Sequence, residues 1–384
     1  MKNLIRIGVV GLGRGQSFME GATAATGLKL VAICDQQEAR AQAVAKKYGV
    51  TTYSDYDKFL EHDMDGVVLA NYFHEHTPFA IKALRAGKHV MSETAACSTL
   101  AEGVALCREV ERTGKIYMFA ENYPFTAASL TMERLYKAGK LGEVRYADGE
   151  YNHPGPPPAK RPPLTNLHWR NRIPSTYYCT HALAPLMQIT DTWPVSVNGF
   201  SIVSPRHPNS VRRGDTGSVI ICRMDNGAVF RLFGLCMGGH SIWYRLHGTR
   251  GILETLRGPG YFGPNGVRVA IDEWNCRTGE KAEEVVMPQF PKWAKGAEAA
   301  GHGGGDFFTN YLFSQAIRTG QQPFLDVYRG VAMSVVGILA WKSALQNGAP
   351  FAMPDFKKEA SRRKHAKDTW SPFTGSAPCG TKYP

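Results

Sequence analysis

The chain has 384 residues, of which 43% are hydrophobic, and its formal net charge is +12. This length exceeds most single domains, so two domains are expected, and no apolar run approaches the roughly 20 residues that span a bilayer. Much of the positive charge lies from Lys357 onward, with no recognisable nucleic-acid-binding module around it. The composition therefore argues against a membrane or nucleic-acid partner and favours a solvated basic tail.

The eight cysteines are scattered, and no two of them form a Cys-x-x-Cys pair. Their spacing therefore does not indicate a structural zinc site, and a reducing cytoplasm is the expected compartment. Met1-Lys2-Asn3 leads straight into the first predicted strand, so no secretory signal is recognised in this sequence. An export signal that has already been removed is the alternative.

Residues 1–122 alternate short apolar runs with amphipathic segments. The apolar runs predict strands at 5–10, 28–34, 66–71, 89–92 and 116–119. The segments between them predict helices at 17–25, 37–48, 56–61, 77–86 and 100–113. Such an alternation is typical of a parallel sheet with helices on both faces. Ligands bind a sheet of this kind at the carboxyl ends of its strands.

A glycine-rich turn with the order of a dinucleotide-binding motif follows the first predicted strand. Gly11 allows the tight turn, Gly13 lets the backbone approach a pyrophosphate, and the next helix offers free N–H groups to phosphates. Asp35 ends the second strand, where a carboxylate accepts hydrogen bonds from a ribose and repels a 2′-phosphate, which favours NAD over NADP. The third glycine is displaced, because Gln16 takes its place and Gly15 comes one residue early. The candidate cofactor-binding residues are Gly11, Leu12, Gly13, Arg14, Gly15, Asp35, Asn71, Glu93 and Asn122.

After residue 122 the pattern changes to β-rich stretches separated by turns. Strands are predicted at 144–151, 195–203, 218–224, 228–235, 243–247 and 251–254, and helices at 129–138, 305–319 and 327–346. Asp225-Asn226-Gly227 is a hairpin signal, and the proline-rich residues 154–163 predict a loop. The sequence thus predicts an α/β Rossmann domain over 1–122 and an α+β domain with an open, mostly antiparallel sheet over 123–356. A basic extension with weak structural signal follows over 357–384.

This order of domains resembles the Gfo/Idh/MocA oxidoreductases over residues 4–356. The resemblance rests on Gly11-Leu12-Gly13, Asp35, Gly87-Lys88-His89-Val90 leading to Glu93, Glu121-Asn122, and Gly248-Thr249-Arg250-Gly251. In most of that family the strand after Gly-Lys-His-Val ends in Glu-Lys-Pro, whose lysine helps catalysis. This chain has Glu93-Thr94-Ala95 instead, so it lacks that lysine.

The missing lysine is shared with the NAD-dependent glycosidases of glycoside hydrolase family 109, which this chain resembles in further motifs. They are Met118-Phe119-Ala120-Glu121-Asn122, Asp148-Gly149-Glu150-Tyr151-Asn152-His153, His168-Trp169-Arg170, Tyr178-Cys179-Thr180-His181 and Gly301-His302-Gly303-Gly304. The position of Asp148 is usually Glu in that branch, whose known activity is α-N-acetylgalactosaminidase. The resemblance implies an NAD-dependent glycoside hydrolase that forms a homodimer or homotetramer through the open sheet of residues 123–356.

In that family NAD⁺ is a tethered catalyst. Sugar carbon 3 is oxidised, carbon 2 is deprotonated, the aglycone leaves by elimination, water adds, and the hydride returns. The resemblance assigns the carbon-2 proton to Tyr178 and the carbon-3 hydroxyl to His181, which lie one helical turn apart. Asp148 and His302 are further catalytic candidates. An aromatic face and hydrogen-bond donors suit a carbohydrate, so the candidate substrate-binding residues are His153, His168, Trp169 and Arg170.

Other interpretations stay open at this point. The same residues suit a sugar dehydrogenase that releases NADH, or a non-catalytic NAD-binding sensor, although intact Tyr178 and His181 argue against a sensor. Each site residue also has a structural interpretation as a core, capping or strand-surface residue. A metal site built from His153, His168, His181 and His302 lacks the spacing of known motifs, so no metal is predicted. The sequence does not identify the sugar, the anomer or the aglycone.

Overall fold

The structure is a computed structural model that describes residues 4–154, 173–202, 215–235, 239–257, 266–374 and 377–378. The chain forms two compact units. The first comprises Met1–Asn122, Lys292–Val331 and Asp355–Thr369, and the second comprises Tyr123–Pro291, Ala332–Pro354 and Trp370–Pro384. Among the described helices, none has the length and apolar character needed to cross a membrane.

The described strands are β1 (Ile5–Val10), β2 (Leu28–Cys34), β3 (Thr51–Tyr53), β4 (Gly66–Leu69), β5 (His89–Ser92), β6 (Tyr117–Phe119), β7 (Val144–Asn152), β8 (Pro194–Ile202), β9 (Gly217–Met224), β10 (Val229–Leu235), β11 (Ser241–Gly248), β12 (Gly251–Thr255), β13 (Val267–Ile271), β14 (Glu283–Val286), β15 (Phe351–Ala352), β16 (Phe373–Thr374) and β17 (Ala377–Pro378). The described helices are α1 (Gly15–Glu20), α2 (Glu38–Tyr48), α3 (Tyr56–Leu60), α4 (His76–Arg85), α5 (Leu100–Thr113), α6 (Ala127–Lys137), α7 (Thr180–Thr190), α8 (Gly305–Thr319), α9 (Val327–Ala344) and α10 (Glu359–His365). Short 3₁₀ turns cover Phe73–Glu75, Tyr123–Phe125, Ser175–Tyr178 and Glu273–Asn275.

The sheet of the first unit has six strands in the order β3-β2-β1-β4-β5-β6, and every neighbouring pair is parallel. Its central strands are apolar along their length because both faces are covered, and Val9, Val67 and Val68 are 0% exposed. The strand order reverses beside β1, which places a crevice at the carboxyl ends of β1 and β4. This confirms the predicted Rossmann-type parallel sheet.

Helix α5 shows how local signals set the helix boundaries in this unit. Its first turn is capped by Thr99, whose Oγ1 accepts a hydrogen bond from Glu102 N at 3.1 Å. Gly114 then adopts a left-handed conformation with φ of +63° and ends the helix. The predicted bounds of 100–113 are therefore confirmed.

The sheet of the second unit has nine strands in the order β14-β13-β12-β11-β7-β10-β9-β8-β15. Only the β7–β10 pair is parallel among the described pairs of this sheet, and the others are antiparallel. Helix α7 packs on one face, where a Cβ added at Gly149 of β7 would lie 2.0 Å from Ala182 O. The predicted mostly antiparallel sheet is thus confirmed, with β13, β14 and β15 in addition to the predicted strands. Pairing of subunits through the other face stays a prediction.

The segment after Lys357 has more structure than the sequence indicates. Residues Glu359–His365 form α10, and Arg362 is buried with its Nη1 at 2.7 Å from Glu111 Oε1 on α5. Arg362 therefore departs from the expected solvated basic tail, because it pairs with a carboxylate of α5. The other cations of that segment, Lys357, Lys358, Arg363, Lys364 and Lys367, are exposed. The three consecutive domains predicted from sequence stay a prediction, while the compact units interleave along the chain.

Candidate functional site

The glycine turn of the first unit requires a glycine at position 11. Gly11 has a φ of +84°, and a Cβ there would lie 2.5 Å from Ala70 O at the end of β4. The turn is fixed further by Asp35, whose Oδ2 accepts a hydrogen bond from Leu12 N at 2.8 Å. Gly11, Leu12, Asp35 and the backbone beside Asn71 therefore meet at the carboxyl ends of neighbouring strands, as a nucleotide-binding crevice requires.

Gly13 and Gly15 have different surroundings. A Cβ added at Gly13 would have no heavy atom nearer than Arg40 Nη2 at 4.0 Å, so this position is open on the protein side. A Cβ added at Gly15 would lie 2.8 Å from Val9 Cγ1, because α1 packs directly on β1 there. Gly15 thus supplies the close helix–strand approach that the third glycine of the motif usually supplies, and the early position does not disrupt the turn.

Two buried amide oxygens at the strand ends have no hydrogen-bond partner within the residues that the structure describes. They are Asn71 Oδ1, after β4, and Asn122 Oδ1, after β6. Buried polar atoms are normally hydrogen bonded. These acceptors, the open backbone at Gly13 and the carboxylate of Asp35 fit the donors and phosphates of NAD.

Arg14 lies between two carboxylates. Its Nε is 2.7 Å from Glu93 Oε1, and its Nη2 is 2.6 Å from Asp306 Oδ1. Asp306 also accepts hydrogen bonds from Asn122 Nδ2 at 3.0 Å and from His302 Nδ1 at 2.8 Å. Asp306 therefore joins three predicted residues, Arg14, Asn122 and His302, and Arg14 connects them to a fourth, Glu93.

Asp306 is the second residue of α8 and is 2% exposed. Burial by itself raises the pKa of this carboxyl, but the hydrogen bond from His302 and the charge of Arg14 outweigh burial and hold the pKa well below its usual range. Asp306 is therefore ionised at neutral pH. His302 precedes α8 in a left-handed stretch, with φ of +54° at His302, +60° at Gly303 and +93° at Gly304.

In the second unit, His181 lies among three tyrosine rings. Its ring centroid is 4.5 Å from Tyr123, 4.5 Å from Tyr151 and 4.9 Å from Tyr178. Tyr178 ends a 3₁₀ turn and His181 is the second residue of α7, so the predicted proximity of these two is present. His181 is 6% exposed. The cluster therefore places an imidazole and phenols within one small, mostly buried volume.

The backbone carbonyl of His181 has a hydrogen-bond donor from the sheet, because a proline stands four residues later in the helix. Pro185 lies inside α7 and has no N–H to donate to the carbonyl of His181. Tyr244 from β11 satisfies that carbonyl instead, with its hydroxyl donating at 2.7 Å. The sheet thereby anchors the helix at the position of the histidine.

Asp148 lies on the opposite face of this sheet. Side chains alternate along a strand, and Gly149 and Tyr151 of β7 face α7. Asp148 instead accepts hydrogen bonds from Arg231 Nε at 2.5 Å and Arg245 Nη2 at 2.7 Å. Burial opposes ionisation of Asp148, but these donors and the hydroxyl of Tyr146 lower its pKa overall. The structure thus does not bring Asp148 to Tyr178 and His181, and gives it a sheet-stabilising ion pair.

The predicted substrate-binding residues are only partly described. His153 is exposed, with its ring centroid 6.1 Å from Tyr151 and 5.2 Å from His240. His168, Trp169 and Arg170 lie outside the described residues. Within the described ranges no group of three or more His, Cys, Asp or Glu residues is arranged to hold a metal ion.

Three residues of these arrangements were missed by sequence reasoning: Asp306, Tyr123 and Tyr151. Asp306 lies two residues after Gly301-His302-Gly303-Gly304 and is the second residue of a predicted helix, so an acid in a first helical turn was the available signal. Tyr123 directly follows one of the quoted motifs and Tyr151 lies within another, but their contact with His181 depends on packing between distant segments.

Asp35 provides a test of cofactor preference. The unmodified chain is expected to bind NAD more tightly than NADP, because the carboxylate repels a 2′-phosphate. In Asp35→Ala the ratio of the dissociation constant for NADP to that for NAD should fall about tenfold, measured by titration calorimetry. Asp225→Ala is the control, since Asp225 also accepts a backbone hydrogen bond, from Trp193 N at 3.0 Å, but belongs to the second unit. Equal affinities in the unmodified chain would contradict the prediction.

Comparison with known protein families divides the chain into two matched segments. Residues 5–121 match the oxidoreductase family with an NAD-binding Rossmann fold, Gfo/Idh/MocA. Residues 202–362 match the C-terminal domain of glycosyl hydrolase 109.

Curated relatives match over nearly the whole chain. A glycosyl hydrolase family 109 protein of Solibacter usitatus is 28% identical, over 92% of this chain and 88% of that protein. A glycosyl hydrolase family 109 protein of Phocaeicola vulgatus is 27% identical, over 92% of this chain and 84% of that protein.

Solved structures share the fold. Levoglucosan dehydrogenase in complex with NADH and L-sorbose matches with a TM-score of 0.77 at 21% identity, over 92% of this chain and all (100%) of that chain. An oxidoreductase from Agrobacterium radiobacter in complex with NAD⁺, L-tartaric acid and magnesium matches with a TM-score of 0.72 at 14% identity, over 91% of this chain and 98% of that chain. Both matches concern the fold.

Proposed function

We propose that this chain is an NAD-dependent glycosidase, because residues 5–121 match the NAD-binding Gfo/Idh/MocA oxidoreductase family and residues 202–362 match the C-terminal domain of glycosyl hydrolase 109. We propose that it hydrolyses a glycosidic bond by transient oxidation at sugar carbon 3, elimination, water addition and re-reduction. The observation that carries this proposal is the enclosure of His181 by tyrosine rings in a chain without the family's lysine.

The cofactor-binding residues of the first unit would hold NAD. They are the turn Gly11–Gly15, Asp35, Asn71, Glu93 and Asn122. When bound, NAD⁺ supplies a reversible hydride acceptor. Glu93 and Arg14 form an ion pair at 2.7 Å, so neither charge is left uncompensated beside that site.

The residue at position 94 bears on which side chains transfer protons in the proposed reaction. Thr94 stands where most of the family has a catalytic lysine, and a threonine hydroxyl is a poor base near neutral pH. Glu93 Oε2 accepts a hydrogen bond from Thr94 N at 3.1 Å. Proton transfer is therefore assigned to other residues, which favours the tyrosine and histidine of the second unit.

We assign Tyr178 to the proton on carbon 2 and His181 to the hydroxyl on carbon 3. An imidazole exchanges protons near neutral pH and suits a hydroxyl that is deprotonated and later reprotonated. The ring centroids of Tyr178 and His181 are 4.9 Å apart, so both side chains can reach adjacent carbons of one sugar ring. The neighbouring rings exclude water from His181, which protects the intermediate states from side reactions.

His302 is proposed as the third catalytic group, for the departing aglycone and the incoming water. Recognition of the carbohydrate by His153, His168, Trp169 and Arg170 stays a proposal, as does a homodimeric or homotetrameric assembly. Asp148 is not assigned a step, because its hydrogen bonds to Arg231 and Arg245 occupy both carboxylate oxygens.

The test is a screen of chromogenic glycosides with and without added NAD⁺. Aglycone release without accumulation of NADH absorbance at 340 nm is the expected result, since the hydride taken from carbon 3 returns to the same molecule. Accumulation of about one NADH per substrate consumed would replace the proposal with the alternative, an NAD-dependent glycoside 3-dehydrogenase. NAD binding without turnover of any glycoside would favour a sensor.

A further inference from the structure

Asp306 accepts hydrogen bonds from four nitrogen atoms. Arg14 donates from Nη1 at 3.1 Å and from Nη2 at 2.6 Å, Asn122 donates from Nδ2 at 3.0 Å, and His302 donates from Nδ1 at 2.8 Å. The three donating residues come from the glycine turn, the end of β6 and the loop before α8. One buried carboxylate therefore contacts residues from all three segments.

An ionised carboxylate only accepts hydrogen bonds, and this property fixes the orientation of Asn122. Its Nδ2 must face Asp306, so its Oδ1 points away from the carboxylate. That oxygen is buried and has no hydrogen-bond partner in the described part of the chain, and the residue is 3% exposed. A buried, unpartnered acceptor at the carboxyl end of a Rossmann strand suits a hydrogen-bond donor of a bound dinucleotide.

The same property fixes the tautomer of His302. Because Nδ1 donates to Asp306, a neutral imidazole must carry its hydrogen on Nδ1, and Nε2 is then the accepting nitrogen. The left-handed backbone at His302, with φ of +54°, places the ring beside the first turn of α8. Arg14 contributes a charge that keeps Asp306 ionised, so the carboxylate does not become a donor at neutral pH.

We propose that Asp306 is a positioning residue that orients two groups at once. It turns the amide oxygen of Asn122 toward a hydrogen-bond donor of bound NAD, and it holds His302 in the Nδ1–H tautomer. The consequence for His302 in catalysis rests on the proposed function, whereas the consequence for NAD does not.

The experiment uses the full chain, labelled with ¹⁵N-histidine, without any sugar. Long-range ¹H–¹⁵N spectra at pH 8 should contain an Nδ1–H signal of His302, identified by its absence in His302→Gln and distinct from that of His76, whose Nδ1 donates to Ala95 O at 2.9 Å. Asp306→Asn should convert that signal to the Nε2–H tautomer and raise the dissociation constant for NAD about tenfold by calorimetry. Asn122→Ala should raise the dissociation constant for NAD about tenfold and leave the tautomer of His302 unchanged. Asp326→Asn is the control, since Asp326 accepts from the backbone Arg329 N at 2.9 Å and should leave both measurements unchanged.

An Nε2–H tautomer at His302 in the unmodified chain would overturn the proposal, as would unchanged NAD affinity in Asn122→Ala. Both measurements can be made even if Asp306→Asn does not fold, because they use only the unmodified chain and Asn122→Ala. If the unmodified chain shows the Nδ1–H tautomer at His302 and Asn122→Ala binds NAD more weakly, while every glycoside fails to react, the positioning role stands and the proposed glycosidase function is wrong.

Discussion

Replacing Tyr178 with phenylalanine is expected to lower aglycone release by roughly 10²- to 10⁴-fold, the range that a positioned general base contributes. Phenylalanine keeps the ring, so the packing against Tyr151 and His181, with ring centroids at 5.9 and 4.9 Å, should remain. The glycine turn and its partners belong to the first unit and are unaltered. The variant should therefore bind NAD as the unmodified chain does, which calorimetry can measure.

The isotope content of the product gives a second measurement on the same variant. Turnover in D₂O should place deuterium on carbon 2 of the released sugar, because the proton removed there exchanges with solvent before water adds. In Tyr178→Phe both aglycone release and deuterium incorporation should fall together. Hydrolysis that leaves carbon 2 free of deuterium would contradict the elimination route, whatever the rate.

Tyr136→Phe is the matched control for this change. Tyr136 lies on α6 in the same unit and is outside the cluster around His181. The substitution removes one phenolic hydroxyl in each case. An equal loss of activity in both variants would mean that the effect comes from general loosening of the second unit and would remove the assignment of Tyr178.

The parallel sheet of the first unit could be predicted from sequence because its signals are local. The predicted strands are short apolar runs, and α5 is marked by a side-chain cap at Thr99 and a left-handed glycine at its end. The short strand β3 was missed because Thr51–Tyr53 is only three residues long and lacks an apolar run. Strand boundaries elsewhere depend on the same apolar runs, so they agree closely with the prediction.

Helix α7 shows why other elements could not be predicted. Its residues are buried almost all round, so no amphipathic period marks it, and Pro185 argues against a helix in the sequence. The helix exists because the sheet covers it and Tyr244 satisfies the carbonyl that the proline leaves without a donor. Tertiary contact therefore overrides the local signal at the position that carries His181.

Asp148 and Asp306 show the same limit for the candidate site. Motif order placed Asp148 with Tyr178 and His181, but strand alternation turns its side chain to the other face of the sheet. Asp306 joins Arg14, which lies 292 positions earlier in the chain, and no sequence pattern predicts a contact over that separation. Motifs in the sequence indicate which residues are candidates for a site, whereas the hydrogen-bond partners of those residues depend on the fold.

Substituting alanine at Gly11 is expected to destabilise the first unit by about 2 to 5 kcal/mol. A left-handed residue other than glycine costs roughly 1 to 2 kcal/mol, and an atom forced into packed surroundings adds about 1 to 3 kcal/mol. Both costs apply because Gly11 has a φ of +84° and its Cβ would lie 2.5 Å from the carbonyl oxygen of Ala70. The backbone oxygen cannot move aside without disturbing β4. Urea denaturation followed by circular dichroism should show the lower midpoint.

Gly13→Ala separates backbone strain from cofactor contact within the same turn. The added Cβ would meet nothing on the protein nearer than 4.0 Å, so the midpoint should stay the same or rise slightly, as alanine restricts the unfolded chain. NAD should nevertheless bind at least about tenfold more weakly, because the methyl group occupies the side on which a pyrophosphate approaches the backbone. Gly11→Ala would thus lose stability first and affinity as a consequence, whereas Gly13→Ala would lose affinity alone. If Gly13→Ala binds NAD normally, the pyrophosphate does not approach the turn at this residue, and the placement of the cofactor on Gly11–Gly15 is wrong.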